Sequence, residues 1–128
     1  EKQLPYAQAP AGVPLVQHSL LLMLQYAREG KISIEKVVEK MCHAPAICFQ
    51  LAERGYIREG YWADMVLVDM NDTTTVQKNN ILYKCGWSPF EGHTFPAAVK
   101  YTMVNGQVVY EHGKVNATVR GQRLSFDR

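Results

Sequence analysis

The sequence predicts an α/β chain in which a helical first half is followed by a smaller β unit. In the first half, apolar residues recur at helical spacing and the runs end at glycines, up to about residue 55. In the second half, short apolar runs flank turn residues such as Asn105-Gly106. The 128 residues suit one domain, and a hydrophobic content of 47% is enough for a core.

The first predicted helix covers residues 15–28. Pro14 suits a first helical turn, and Gly30 suits a helix stop. Within this helix, residues 20–24 are all apolar. Five apolar residues in a row cover more than one helical face, so we expect this helix to be packed on most of its sides.

Two more helices are predicted in the first half. Ser33 is a suitable N-cap for the second, and its apolar stripe follows at helical spacing: Ile34, Val37, Val38 and Met41. The third is predicted from Pro45 to Gly55, because proline suits the first helical position and glycine the position just past the end.

The second half predicts a buried strand over residues 63–69, a short apolar run bounded by polar residues. A hairpin is predicted from residues 99–104 and 107–110, joined by a type I′ turn at Asn105-Gly106. From Asn116 onward the chain is polar, which predicts a partly mobile tail.

The composition argues against several function classes. The 14 Lys and Arg residues nearly balance the 12 Asp and Glu residues, and a formal charge of +2 indicates no nucleic-acid partner. No apolar run approaches the roughly 20 residues of a membrane span, and no signal peptide is visible. The three cysteines form no tight pair, which favours a reducing, cytoplasmic compartment: Cys42, Cys48 and Cys85.

The residue types that could bind a metal or act as a nucleophile, histidine and cysteine, lie scattered along the chain. The four histidines, His18, His43, His93 and His112, fit no metal-binding pattern, so we expect no metal ligand and no catalytic residue in this chain. His18 and His43 are expected to be packed near helix ends, and His93 and His112 to lie in loops or turns. Cys85 stands beside Lys84, yet no acid or histidine lies at a recognisable spacing from it, so a structural role is favoured.

The segment APAGVP, residues 9–14, is a candidate binding loop. Gly12 lacks a Cβ, so its main chain can approach a ligand closely. A helix start immediately after it would offer free N–H groups to a carboxylate. The alternative is an ordinary loop that leads into a helix.

The order of these segments resembles the C-terminal part of dihydroorotases, in the amidohydrolase superfamily. The resemblance covers nearly all of the chain and is carried by EKQLPYAQAPAGVPLVQHSLLLML, by KISIEKVVEKMCHAPAICFQLAERGYIREGYWADMVLVDMN, by ILYKCGWSPFEG and by VKYTMVNGQVVYEHGKV. Of these, GYWADMVLVD and VNGQVVYEHGK indicate only the superfamily. The combination of APAGVPLVQ with KCGWSPFEG is narrower and resembles dihydroorotases more than allantoinases or dihydropyrimidinases.

The resemblance implies a fold and an activity. Residues 1–58 would end a (β/α)₈ barrel with the substrate loop and terminal helices. Residues 59–128 would form part of a small β-sandwich. The implied activity is zinc-dependent, reversible hydrolysis of dihydroorotate to carbamoyl aspartate in pyrimidine biosynthesis. An allantoinase-like or hydantoinase-like hydrolase and a noncatalytic dihydroorotase-like module remain as alternatives.

The family's H-x-H pair, carboxylated lysine and D-x-A-P-H motif belong upstream of the matched segments and are absent here. We therefore expect a piece of a longer polypeptide, inactive alone, whose zinc ligands lie elsewhere. The opening at Glu1, which reads as a loop entered halfway, agrees with that. The implied partners are a small-molecule substrate, the remainder of the polypeptide and, as is common in the family, a second copy of it.

Two local roles complete the expectations. The family's A-P-x-G segment contacts substrate through its main chain, and this contact maps onto Ala11 and Gly12. The segment KCGWSPFEG is expected to be a structural strap in which Trp87 and Phe90 supply buried area, with Cys85 as a packed thiol.

Overall fold

The computed structural model describes residues 3–127 and has a helical first half and a β-rich second half. The helices are α1 (Ser19–Arg28), α2 (Ile34–Val38), a π-helical turn (Glu39–His43) and α3 (Ala44–Cys48). The strands are β1 (Met65–Asp69), β2 (Thr74–Thr75), β3 (Thr94–Phe95), β4 (Ala98–Val104), β5 (Gln107–Glu111) and β6 (Lys114–Val115), with a 3₁₀ turn at Lys78–Asn80.

Helix α1 is shorter at its start than the predicted 15–28. The N–H groups of His18 and Ser19 both donate to the carbonyl of Leu15, at 3.0 and 2.9 Å, so residues 15–18 form a turn before the helix. The predicted stop is confirmed. Gly30 has φ +73°, and the next N–H, of Lys31, donates to the carbonyl of Tyr26 at 2.9 Å, which completes a Schellman cap.

The second and third predicted helices are one continuous helical run, from Ile34 to Cys48, with the π-helical turn in its middle. Ser33 caps the run as predicted, since its Oγ accepts from the N–H of Lys36 at 3.2 Å. The predicted continuation to Gly55 is wrong. Gln50 takes a left-handed φ of +54°, and the N–H of Leu51 donates to the carbonyl of Ala46 at 2.9 Å, so a Schellman cap ends the helix.

The β half contains a four-stranded antiparallel sheet, in the order β1-β4-β5-β6, and a separate β2–β3 pair. The predicted hairpin is confirmed as β4 and β5. Asn105 and Gly106 have φ of +52° and +78°, and a type I′ turn requires positive φ at both of its central residues.

The strand predicted over residues 63–69 exists as β1, but the prediction that it is buried is wrong. Met65, Val66 and Leu67 are 37%, 46% and 60% exposed. Among the described residues β1 is an edge strand, paired with β4 alone. A continuous apolar run is typical of a strand that is buried on both faces. The described residues nevertheless leave these three side chains exposed.

The core lies between α1 and the β2–β3 pair. Leu21 and Leu24 are buried against Val76, Phe95 and Ala97. None of the five apolar residues at 20–24 is exposed, which confirms that this helix is packed on several sides.

The end of the C-terminal tail lies against the helical half, and the partial mobility of the chain from Asn116 onward stays a prediction. The N–H of Ala52 donates to the carbonyl of Ser125 at 3.1 Å, and the N–H of Asp127 donates to the carbonyl of Gln50 at 2.9 Å. Leu51 and Phe126 form an antiparallel bridge between these two bonds. The last described residues therefore cover the end of α3.

Candidate functional site

The candidate substrate loop is exposed and has free main-chain donors. Ala11 and Gly12 are both exposed, and within the described chain neither N–H makes a hydrogen bond. Gly12 has φ +78°, and a Cβ placed on it would meet nothing within 4 Å. Glycine is therefore favoured here by the left-handed backbone rather than by crowding. Such a loop can offer its N–H groups to a ligand.

The helix start does not support a carboxylate next to this loop. Helix α1 begins at Ser19, seven residues after Gly12. Three N–H groups at its start are already bonded, since that of Gln17 donates to the Tyr83 hydroxyl at 2.9 Å and those of His18 and Ser19 donate to the Leu15 carbonyl. The expectation that a helix N-terminus assists the loop is therefore wrong.

A clamp made by Gln17 ties the start of α1, on the side of the candidate loop, to residues 80–83, which immediately precede the strap at residues 84–92. Besides the bond from its N–H to Tyr83, its side-chain Nε2 donates to the Asn80 carbonyl at 2.7 Å. Its Oε1 accepts from the N–H of Leu82 at 2.8 Å. The three bonds of Gln17 span more than 60 positions of sequence, so residues 80–83 fix where the chain enters α1.

His18 is the buried anchor beside this clamp and is only 1% exposed. Its Nδ1 lies 3.4 Å from the Tyr83 hydroxyl and 3.3 Å from the Ser88 Oγ. Its ring stacks on Phe95 at 6.0 Å and meets Phe90 edge-on. Burial lowers the pKa of His18 because desolvation disfavours the charged imidazolium. This confirms the predicted packing of His18 near the start of the helix.

His93 and His112 lie in a loop and a turn as predicted, whereas His43 lies inside the helical run Ile34–Cys48 and not near a helix end, because the two predicted helices are continuous. His43 is half-buried at the end of the π-helical turn and stacks on Tyr56 at 4.2 Å. His93 and His112 are exposed. His93 Nε2 bonds to Gln25 Oε1 at 2.8 Å, and His112 follows the end of β5.

We expect the folding stability to fall as the pH drops below about 6.5, the usual histidine pKa. The folded-state pKa of His18 is lowered. As the pH falls, the unfolded chain therefore takes up a proton at His18 before the folded chain does, and this protonation stabilises the unfolded state. The slope from one such group is at most about 1.4 kcal/mol per pH unit. Urea denaturation between pH 5.5 and 7.5 measures it.

The control for this prediction is a histidine that is exposed. His112→Asn should leave the pH slope unchanged, while His18→Phe should flatten it. A direct NMR titration of the His18 imidazole is the second measurement. An apparent pKa above 6.5 for that ring would contradict the account.

The predicted packing of Cys85 in the strap is wrong, although the strap itself packs. The thiol is exposed because Cys85 lies at the apex of a turn that the N–H of Gly86 closes on the carbonyl of Tyr83 at 3.0 Å. Phe90 packs against the core, and Trp87 is half-buried. The aromatic side chains therefore provide the strap's buried area, as predicted.

A hub of contacts around Asp64, which the sequence did not predict, joins the end of the helical half to the sheet. Asp64 Oδ2 forms an ion pair with Arg54 Nη1, and Asp64 Oδ1 accepts from the N–H of Asn105 at 2.7 Å. Arg54 is only 8% exposed, and its guanidinium lies 5.4 Å from the Trp62 ring. In the sequence, Asp64 stands out only as a polar residue at the end of a predicted strand, because its partners lie elsewhere along the chain.

Zinc, which the resemblance implies, finds no fitting ligand set among residues 3–127. Across residues 3–127, no group of three or more His, Cys, Asp or Glu side chains converges as a metal site would require. His18 contacts hydroxyls and aromatic rings instead of carboxylates. No chemical step through a metal can therefore be built from these residues.

Residues 11–109 match the sequence model of the family described as "Amidohydrolase family". The chain belongs to the amidohydrolase family. This confirms the superfamily part of the resemblance.

Relatives of this amidohydrolase chain include proteins named dihydroorotase. The one from Halobacterium salinarum is 39% identical over 119 residues, which cover 91% of this chain and 28% of that protein. The one from Pyrococcus furiosus is 32% identical over 114 residues, 89% of this chain and 27% of that protein. The chain thus spans little more than a quarter of these relatives, and the resemblance to dihydroorotases is confirmed.

Solved structures similar to this chain include hydantoinases. The L-hydantoinase (dihydropyrimidinase) from Arthrobacter aurescens matches with a TM-score of 0.75 and 35% identity over 84% of this chain and 24% of its own. A D-hydantoinase matches with a TM-score of 0.74 and 27% identity over 83% of this chain and 23% of its own. The mixed helix and sheet arrangement is therefore an amidohydrolase one.

Among residues 3–127, none of the helices combines the length and the apolar character needed to cross a bilayer.

Proposed function

We propose that this chain is the C-terminal part of a dihydroorotase, an enzyme that reversibly hydrolyses dihydroorotate to carbamoyl aspartate in pyrimidine biosynthesis. The observation that carries the proposal is the 39% identity to a dihydroorotase over 91% of the chain. The exposed, unbonded main chain of the candidate loop supports it, because that loop is where the resemblance implies a substrate contact.

In this proposal Ala11 and Gly12 hold the substrate through their main-chain N–H groups. Dihydroorotate carries a carboxylate and ring carbonyls, all of which accept hydrogen bonds from such donors. The Gln17 clamp and the buried His18 would act indirectly, without touching the substrate. They fix the path of the chain between the loop and α1.

The proposed division of the chain follows its two halves. Residues 1–58 form the end of the catalytic barrel, and residues 59–128 form the sandwich segment with strap and hairpin. The exposed apolar residues of β1 support this division. They need cover from the remainder of the polypeptide, which is also the proposed source of the zinc ligands. The chain alone is then inactive, and the intact enzyme is cytoplasmic and homodimeric.

Substrate turnover by the parent polypeptide tests the proposal. With zinc supplied, we expect metal-dependent interconversion of dihydroorotate and carbamoyl aspartate, and much slower hydrolysis of hydantoin, dihydrouracil and allantoin. Rates are compared as kcat/KM for each substrate. No turnover of any of these compounds by a folded, zinc-loaded protein would favour a noncatalytic module instead.

A second candidate is a hydantoinase-like hydrolase. It is favoured by one observation, the TM-score of 0.75 and 35% identity to an L-hydantoinase. Preferential hydrolysis of hydantoin over dihydroorotate in the same substrate panel would replace the first proposal with this one.

A further inference from the structure

The hairpin turn at Asn105-Gly106 brings together two residues that can react with each other. An asparagine side-chain amide is open to attack by the main-chain nitrogen of the next residue. A following glycine hinders that attack least, because it has no Cβ. Asn-Gly occurs only once in the 128 residues. Of the asparagines in this chain, Asn105 therefore has the following residue that most favours spontaneous deamidation.

The reaction needs no co-reactant other than water. The nitrogen of Gly106 bonds to Cγ of Asn105, and the bond from Cγ to Nδ2 breaks. Nδ2 leaves as ammonia, and its third hydrogen replaces the proton that the Gly106 nitrogen loses. Water then opens the cyclic imide at one of its two carbonyls, which leaves aspartate or isoaspartate at position 105. No atom is oxidised or reduced.

The folded turn holds both reacting groups in other bonds. The N–H of Gly106 donates to the carbonyl of Ala63 at 3.1 Å. Asn105 Oδ1 accepts from the main-chain N–H of Gln122 at 2.9 Å, and its own N–H donates to Asp64 Oδ1 at 2.7 Å. Ring closure requires the main chain and the side chain of Asn105 to rotate towards each other. These bonds oppose that rotation, so the folded turn resists the reaction.

The leaving group is also shielded. Asn105 Nδ2 is buried and has no hydrogen-bond partner among the described residues. This nitrogen must take up a proton to leave as ammonia, and water does not reach it in the closed structure. An unpaired buried donor is unfavourable, so the amide gains a water partner whenever its surroundings open.

The tail is the element that closes over the Asn105 side chain. Besides the bond from Gln122, Gly121 lies against Val104, since a Cβ built on Gly121 would be 3.5 Å from Val104 Cγ1. Gly121 and Gln122 are exposed. Exposed segments near a chain end open at a lower free energy than a buried core does. This stretch of the tail should therefore open before the core unfolds.

We propose that Asn105 is a site of spontaneous deamidation and that the tail contact from Gln122 suppresses the reaction. Once the tail is released, the Asn105 side chain is free to rotate, and the bond from the exposed Gly106 to Ala63 opposes ring closure alone. Isoaspartate lengthens the main chain inside the two-residue turn, so it displaces the N–H that Asp64 accepts. The site uses no residue of the candidate substrate loop and is independent of the proposed hydrolase activity.

The test follows deamidation of the 128-residue chain at mildly alkaline pH, by mass spectrometry of the peptide that contains Asn105. Gln122→Pro removes the N–H that Asn105 Oδ1 accepts, whereas Gln122→Ala keeps it. We expect Gln122→Pro to deamidate at least threefold faster than the parent chain, and Gln122→Ala to match the parent. The parent chain unfolded in urea should react at least tenfold faster than the folded parent.

Hydrogen exchange at the amide of the buried Leu24, measured on the same samples, separates tail release from global unfolding. In Gln122→Pro we expect faster deamidation with unchanged exchange at Leu24. The proposal is overturned if Gln122→Pro reacts no faster than Gln122→Ala, or if its rate rises only in proportion to the exchange at Leu24. Equal rates for the folded and the unfolded parent chain would overturn it as well.

Discussion

Replacing Gly55 with alanine should destabilise the fold by about 2–5 kcal/mol. Gly55 has φ +81°, and a Cβ built there would lie 2.4 Å from the Cβ of Ala46 and 2.8 Å from the carbonyl oxygen of Cys42. The left-handed backbone costs an alanine about 1–2 kcal/mol, and overpacking adds about 1–3 kcal/mol. Both neighbours belong to the helical run, so neither can rotate away. Urea denaturation measures the loss.

Gly60 is the matched control for this prediction. It has φ +80°, but a Cβ there would meet nothing within 4 Å. Gly60→Ala should therefore show only the backbone cost, about 1–2 kcal/mol. If the two variants were equally stable, the close approach of Gly55 to Ala46 and Cys42 would not be a feature of the folded protein.

Replacing Asp64 with alanine should cost about 3 kcal/mol. The change leaves the buried Arg54 guanidinium without its partner, and breaking a buried ion pair typically costs about 3–5 kcal/mol. We take the lower end because the Asp64 side chain is 31% exposed. The N–H of Asn105 also loses its acceptor, so the hairpin turn should loosen. Urea denaturation and amide hydrogen exchange at Asn105 measure the two effects.

The comparison variant is Asp72→Asn, which removes an aspartate that pairs with Lys100 at the surface. Exposed pairs are worth about 0.2–1 kcal/mol, so this variant should be nearly as stable as the parent chain. A loss for Asp64→Ala no larger than that for Asp72→Asn would show that the Arg54–Asp64 pair does not join the two halves.

Features decided by neighbouring residues could be predicted from the sequence. The Asn105-Gly106 hairpin, the Ser33 cap and the Gly30 stop each follow from the conformational preference of one or two residues, and the structure contains all three. The early end of α3 could not be predicted in this way. It depends on Gln50 taking a left-handed conformation that glycine usually takes.

Features that depend on contacts between residues far apart in the chain could not be predicted from the sequence. The Gln17 clamp joins positions more than 60 residues apart, and the Arg54–Asp64 hub depends on the hairpin turn returning to Ala63 and Asp64. Periodicity shows that a segment is apolar, but it does not show what covers it. For that reason β1 was predicted to be buried, although it is exposed among the described residues.

The candidate loop could be located from the sequence only because glycine and proline are strong local signals. The structure adds that its main-chain donors are unbonded within residues 3–127 and that α1 starts too late to assist them. Its role in substrate binding stays a prediction.

The central claim of the proposed function is our proposal that the catalytic centre belongs to polypeptide outside these 128 residues. The most direct test is the turnover of carbamoyl aspartate to dihydroorotate by the purified chain with zinc added, beside the parent polypeptide under the same conditions. We predict turnover by the parent and none by the chain. Zinc-dependent turnover by the chain alone would contradict the claim, because it would require His18, His43, His93 or His112 to build a metal site.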